Sequence, residues 1–573
     1  MKKLGIIGFG PRGLYALESL FFELSKNRKV KVQVFIFENE DELGAGQVWN
    51  SKQATINWTN ISVRALRNLK GRPEIKIDDI IIPEFPSYID ALPKEEQEAL
   101  QNLPDQFPPR SAIGQYLKDR ATSILKVLEK NDLVIIHRKF IIDINYKNSE
   151  FIITDSSKNK YIVDEVLVTI GHQPTKLSKD LQHLEVESLE SDKIFFSETY
   201  PIENIIQSAA THKAKHIVIR GFGLAMIDAV RALTIEKGGE FKITNDRTFA
   251  SEFISSEKVA QKIIPYSLNG LPMVPKPLDK NVDEQFEPSK AQIKHFKNTV
   301  SKYAIEDEKA NDAKFLKEIF AEIGVEIYLA LENKLGSGNS AKELETAILN
   351  WFDDDKYKHE TLVDSEIDTN TLIATYVNMA ANEVPISLDF CLGQVIRHLQ
   401  PTLYKTFSHA NVSDAVFADV IQFDEQMKRY SYGPPIESMQ QLIALHNAEI
   451  LDFNFANNPE ITAKDTFWTF EKNEHKIDCE VIINSVLSAP KLLEVTTPLI
   501  LNLLRNDLIQ PVHSELGIET HTDGTIVLDD ETRKIPLAVL GRLAKGSVIG
   551  VDAILECFGP RIKDWAKGFI NRL

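Results

Sequence analysis

The chain has 573 residues, 43% hydrophobic and 26% charged, which fits a globular protein and excludes the collagenous, disordered and membrane-spanning classes. At roughly 150 residues per domain it has room for three or four domains. Asp and Glu outnumber Lys and Arg by 83 to 66, for a formal charge of −17, so no nucleic-acid partner is expected, because phosphate neutralisation needs clustered basic residues.

The cysteines, Cys391, Cys479 and Cys557, are widely spaced. They match neither a zinc spacing nor a disulfide framework, so a reducing, cytoplasmic setting is expected. No run reaches ~18 apolar residues, so no membrane span is expected. Pro11, Arg12 and Glu18 interrupt the apolar opening, which therefore does not read as a secretory signal.

In chain order, residues 4–8 read as a strand, 14–24 as a helix and 30–38 as a second strand, a βαβ unit opening a parallel sheet. Residues 50–110 are proline-rich loop, and a helix follows over about 111–130. β-rich runs come next at 134–138, 151–154 and 163–171. A second strand-to-helix passage spans 216–236, and residues 240–243 read as a strand. Charged helical stretches then dominate, near 289–304, 312–334, 340–353, 371–380, 387–400 and 437–450. Strand signals return at 479–487, 525–528 and 539–541.

The segment Gly8-Phe9-Gly10-Pro11-Arg12-Gly13 lies between a predicted strand and helix, and Glu38 ends the next strand. Gly8 permits the tight turn, Gly10 lets backbone approach a pyrophosphate, and Gly13 lets helix and strand pack closely. The helix N-terminus offers free N–H groups to phosphate, and Glu38 stands where a carboxylate accepts hydrogen bonds from a ribose. Dinucleotide binding follows, but this unit alone does not choose between FAD and a nicotinamide dinucleotide.

Three further segments resemble parts of two-dinucleotide flavoproteins. Residues 39–49, with Gly44, Gly46 and Trp49, resemble the stretch that passes under the flavin cofactor. Residues 163–174, with Thr169, Gly171 and His172, resemble the strand that ends beside FAD. Gly541 and the stretch 546–558 resemble the closing strand and helix, with Asp552 at the helix N-terminus facing the flavin. Many such proteins have Gly-Asp at that strand end, where this chain has Gly541-Arg542. Together these segments resemble the FAD/NAD(P)-binding family, of the Gly-x-Gly-Pro-Arg-Gly type, related to flavin-dependent monooxygenases. The resemblance covers roughly 1–175, 214–275 and 478–573.

It implies an α/β fold of two interleaved Rossmann-like domains with a large, mostly helical insertion. The expected parts are a first FAD-binding part at 1–205, an NAD(P)-binding-like domain at 206–287 and the helical insertion at 288–475. A return strand at 476–490 and the last FAD-binding part at 491–573 complete the chain. The implied cofactors are FAD and, at the second glycine turn, NAD(P)H, through Gly221, Gly223 and Asp228. Met226 occupies the third glycine position there, where it would hold helix and strand apart and obstruct a pyrophosphate. Residues 266–272 lack the arginine pair that grips an NADPH 2′-phosphate in relatives, and Arg247 is the substitute to test. Arg110 is the best-placed arginine for a cofactor or substrate carboxylate.

The activity implied is that of an FAD-dependent, NAD(P)H-driven monooxygenase acting on a small polar metabolite, with N-hydroxylation of an amino acid among the options. An FAD dehydrogenase or oxidase with a non-binding second fold, and a non-catalytic flavin sensor or assembly protein, are the alternatives. No catalytic nucleophile, metal site or oligomeric state can be read from the sequence. Residues 353–355 read as a solvated acidic helix end, and Tyr430 to Pro435 as a rigid turn setting the helical block over the cofactor cleft.

Overall fold

Residues 4–7 and the strand Glu165–Val168 are buried at every position, as expected for parallel strands covered on both faces. The computed structural model describes residues 1–26, 32–100, 104–190, 192–305, 310–336, 338–528 and 534–573. Its first sheet is five-stranded and parallel, in the order Leu537–Val539, Glu165–Val168, Lys2–Ile7, Val32–Phe37, Val134–His137. The edge strand thus comes from near the C-terminus, and both ends of the chain build one sheet. The helix Pro560–Asn571 packs on the first helix, Pro11–Lys26, under the same sheet.

The second sheet is also parallel, in the order Ile194–Phe196, Val481–Asn484, His216–Arg220, Lys262–Tyr266. Its central strand runs into the second glycine turn and the helix Leu224–Thr234. A separate core joins this sheet to the helical block, where Met226, Phe222 and Val230 share a cluster with Leu392, Tyr430 and Leu442. The fold is therefore α/β with two Rossmann-like sheets and a large helical region.

Glu18, an acid in the middle of an apolar helix face, is 3% exposed and accepts from Arg72 and Arg120, themselves 3% and 1% exposed. The second helix, Arg110–Lys130, and the proline-rich loop are thereby fastened to the first helix.

Several elements depart from the sequence reading. The helix expected to begin near Asp552 starts at Pro560, because Gly546 and Gly550 take positive φ and hold 546–552 as a loop. Residues 525–528 form bridges and no named strand. The helix Asp414–Ser431, capped by Ser413, was not anticipated. Residues 240–243 are strand as read from the sequence, and they lie in an antiparallel hairpin, Glu240–Asn245 with Ala250–Ile254, outside the parallel sheet. No helix among the described residues is long and apolar enough to cross a membrane.

Candidate functional site: two glycine turns and the groups around them

At the first turn, Gly8 has φ +83°, and a Cβ there would lie 2.8 Å from the Thr169 carbonyl oxygen. Thr169 Oγ1 in turn donates to the Gly8 carbonyl at 2.5 Å. A Cβ on Gly13 would meet that same carbonyl at 2.7 Å, so the third glycine sets how closely helix and turn approach. Gly10 differs: its nearest neighbour beyond the turn is Gly46 Cα, 3.7 Å from the Cβ position. Gly46 takes φ +65°, and a Cβ on it would stand 3.2 Å from Gly10 Cα. Two bare backbones therefore meet at the helix start, a surface that a phosphate can approach and a side chain would cover.

The Glu38 carboxylate accepts from the backbone N–H of Phe9 at 2.7 Å and of Glu40 at 3.0 Å. It is fixed beside the turn, with acceptor capacity left on each oxygen for ribose hydroxyls. Gly171 takes φ +69° and would project a Cβ into open space. The residues of the first turn fit a dinucleotide in this respect. Trp49 is half-buried against the core of the first sheet.

The C-terminal loop closes over this region. Arg12 donates to the Val551 carbonyl, and its side chain lies across Gly541, 2.9 Å from the position of a Cβ there. The φ of +105° at Gly541 and this crossing both require glycine. Asp552 pairs with Lys428 at 2.7 Å and with Arg542 at 3.3 Å. Burial alone would raise the Asp552 carboxyl, but Lys428, Arg542 and Lys545 hold it well below the usual range. Burial and Arg542 push His172 down to about 4, so its imidazole is neutral near pH 7. Sequence reasoning missed Arg12 and Lys428. Arg12 carried a signal as part of the glycine motif, whereas Lys428 lay on the unanticipated helix.

At the second turn, Gly221 takes φ +116° and its N–H donates to the Tyr266 carbonyl at 2.7 Å. Gly223 caps the helix Leu224–Thr234, and a Cβ on it would meet nothing within 4 Å. Met226 is 1% exposed, its side chain in the core shared with the helical block. It therefore leaves the open face at Gly223 clear, contrary to the expected obstruction. Arg247 sits exposed in the connection of the antiparallel hairpin.

Arg110 and Asp228, anticipated as separate cofactor contacts, meet each other. Arg110 donates to Asp228 at 2.6 Å and to the Tyr200 hydroxyl at 2.9 Å, and Tyr200 donates to Asp228 at 2.5 Å. Burial disfavours the Arg110 charge, but Asp228 and Tyr200 keep it protonated. This triad joins the two dinucleotide-type units and occupies both groups. Nearby, Arg231 lies 3.8 Å over the Trp58 ring and donates to Gln441 and Ser438, so the loop around residue 58 touches the helix Leu224–Thr234 too.

The Tyr430–Pro435 turn binds that loop from the helical side. Tyr432 accepts from Asn60 Nδ2 at 3.0 Å, and Pro434 accepts from the Lys276 N–H at 3.0 Å. A Cβ on Gly433 would fall 1.8 Å from the Val274 carbonyl, so glycine is required for this seating. The acidic residues 353–355 are exposed, and no group of three or more metal-ligating side chains occurs among the described residues.

The two parallel sheets with glycine turns at their carboxyl edges define a dinucleotide-binding protein of the doubly wound class. Residues 5–173 match the model of the FAD-NAD(P)-binding family. The chain is 22% identical over 564 residues to nitrosuccinic acid synthase of Aspergillus oryzae, covering 90% of this chain and 83% of that protein. It is 23% identical over 253 residues to an uncharacterised Escherichia coli protein, YdhS, covering 42% of this chain and 40% of that one. Among solved structures, ornithine hydroxylase from Pseudomonas aeruginosa aligns over 100% of this chain and 99% of its own, with 11% identity and a TM-score of 0.46. An NADP+-bound cyclohexanone monooxygenase from Rhodococcus aligns over 100% and 86%, with 11% identity and a TM-score of 0.42.

Proposed function

We propose that this chain is an FAD-dependent, NAD(P)H-driven monooxygenase that oxidises a nitrogen of a small amino acid in a reducing, cytoplasmic compartment. The observation that carries it is the pair of bare glycine turns, each at the carboxyl edge of its own parallel sheet, in a chain alignable over most of its length with nitrosuccinic acid synthase. The product in that relative's name is a dicarboxylic acid bearing an oxidised nitrogen. The three cysteines are buried free thiols, which suits a reducing compartment.

Bound FAD supplies two-electron redox chemistry and activation of oxygen, which side chains do not. The balance for N-hydroxylation is amine, O2, NAD(P)H and a proton giving hydroxylamine, NAD(P)+ and water. This chain's residues provide the setting. Gly8 to Gly13 and Gly46 would present backbone to the pyrophosphate of bound FAD, and Glu38 would accept from its ribose. Gly221 and Gly223 would present the second bare turn to a nicotinamide dinucleotide. Arg12 and the loop 541–552 close the first site against water, and neutral His172 is free to hold a proton on one ring nitrogen. The Arg110–Asp228–Tyr200 triad keeps the two turns at a fixed separation.

The test is oxygen-dependent NAD(P)H oxidation with a panel of amino acids, scored for hydroxylamine or more oxidised nitrogen in the product. Substrate-stimulated oxidation with an N-oxidised product is expected. Flavin-loaded protein that shows neither across the panel would refute the reading.

A further inference from the structure

A second polar cluster lies where Asn60 and the short helix Val63–Leu66, the segment around Lys276 and the helix Leu388–Phe407 meet. Arg64 grips Asp105 at 2.9 and 2.6 Å and reaches Asp283 at 2.8 Å. Arg397 and His398 converge on the other oxygen of Asp283, His398 at 3.1 Å. Lys276 extends its ammonium into the same cluster and donates to the Asn60 carbonyl.

Two features are unusual for a purely structural network. The first is charge: with Lys276 in its ammonium form, Lys276, Arg64 and Arg397 face two carboxylates, Asp105 and Asp283, one positive charge more than the acids compensate. Partly buried charge without a counter-ion is costly. The second is an excess of donors. Gln394 is 0% exposed and accepts from Arg397 Nε at 2.9 Å, which fixes its amide orientation. Its Nε2 then has no acceptor among the described residues, and such an orphaned buried N–H group calls for an explanation. Asp279, the nearest further acid along the chain, is turned to cap the Val282 N–H.

We propose that Lys276, Arg397 and Gln394 form a subsite for a carboxylate group of the substrate, with Arg64 and His398 behind them. A carboxylate is acceptor-only, carries the missing charge and has the lone pairs these donors lack. The inference rests on the amino-acid reading above and narrows it: the substrate is held by an acid group remote from the nitrogen that reacts. The site communicates with the cofactor loop through Asn60, which donates to Tyr432, and through Lys428, which lies 5.0 Å from the Tyr432 ring centroid and pairs with Asp552.

The cluster also has a proton signature. Burial, then Arg397, pushes Lys276 down to about 7, with Arg64 acting in the same sense and Asp283 and Asp105 opposing. A bound carboxylate restores the ammonium form, so binding above pH 7 takes up a proton.

The experiment is calorimetric titration of the flavin-loaded full-length protein with succinate, at pH 6.5 and 8, in two buffers of different ionisation enthalpy. Succinamide is the neutral control and inorganic phosphate the alternative anion. Succinate is expected to bind with uptake of up to one proton at pH 8 and more tightly at pH 6.5, while succinamide does not bind. Lys276→Met and Arg397→Gln are expected to weaken succinate at least tenfold, with the flavin spectrum unchanged. Absence of succinate binding to the wild type overturns the proposal, as does equal affinity in both variants, or phosphate binding as tightly as succinate. Should either variant fail to fold, proton uptake by the wild type decides alone. None of these readouts requires turnover, so a protein that binds succinate this way yet never oxidises NAD(P)H retains the subsite and refutes only the monooxygenase reading.

Discussion

Asp228→Asn removes the charge from the buried triad that joins the two dinucleotide-type units. The Asp228 side chain is 3% exposed and that of Arg110 is 12% exposed, so Arg110 would be left with a neutral partner out of contact with most solvent. Breaking a buried ion pair from one side costs about 3–5 kcal/mol. Unfolding entropy is about 2.1 cal/mol/K per residue. If all 573 residues melt together, that is about 1.2 kcal/mol/K, and 4 kcal/mol lowers the melting temperature by about 3 °C. If a unit of about 200 residues melts first, the fall approaches 10 °C. Differential scanning calorimetry measures this directly. Adding Arg110→Met should recover at least half the loss, because the uncompensated cation is gone. A single variant that melts within 1 °C of the wild type, or a double variant showing simple additivity, would refute the reasoning.

Gly10→Ala places a methyl 3.7 Å from its nearest neighbour beyond the turn, an ordinary contact, so the flavin-free protein should melt within about 2 °C of the wild type. The methyl sits on the face offered to the pyrophosphate, and flavin occupancy, read from the ratio of visible to ultraviolet absorbance, should fall at least tenfold. Glu18→Gln leaves two buried guanidiniums sharing a neutral amide and should lower the melting temperature more than Asp228→Asn does. Asp424 accepts from Gln400 at 3.0 Å and Tyr404 at 3.2 Å, and burial raises its carboxyl to about 6. An unfolded aspartate titrates near 4, so between about pH 4 and 6 the folded state keeps a proton that the unfolded state has lost. The stability contributed by this one group therefore falls through that window, by about 3 kcal/mol, and stays lower above it. Asp424→Asn should flatten this decline, measured by melting at pH 4.5 and 7.5.

The first sheet and its turn were legible because their signals are local. A buried apolar run, three glycines and an acid at the next strand end lie within residues 4–38, and each has one geometric use. Long-range partners were not legible. Arg110 and Asp228 each suit an anion or a ribose when read alone, and only folding across 118 positions shows that they satisfy each other. Glu18 looked like a flaw in an apolar helix until Arg72 and Arg120 arrived from a proline-rich loop and another helix. The strand before Arg247 was legible, but its hairpin pairing was not, because period-two patterning does not report which sheet a strand joins. Met226 misled because a side chain at a motif position can point away from the turn, here into a core that it shares with Leu392 and Tyr430 of the distant helical block.

The most direct test of the central claim is an anaerobic absorbance spectrum of the purified protein, before and after NADPH or NADH is added. The account predicts an oxidised flavin spectrum that bleaches on addition and returns when air is readmitted. Protein that carries no flavin and takes none up when FAD is supplied, or a bound flavin that neither nucleotide reduces even with substrate present, would contradict it.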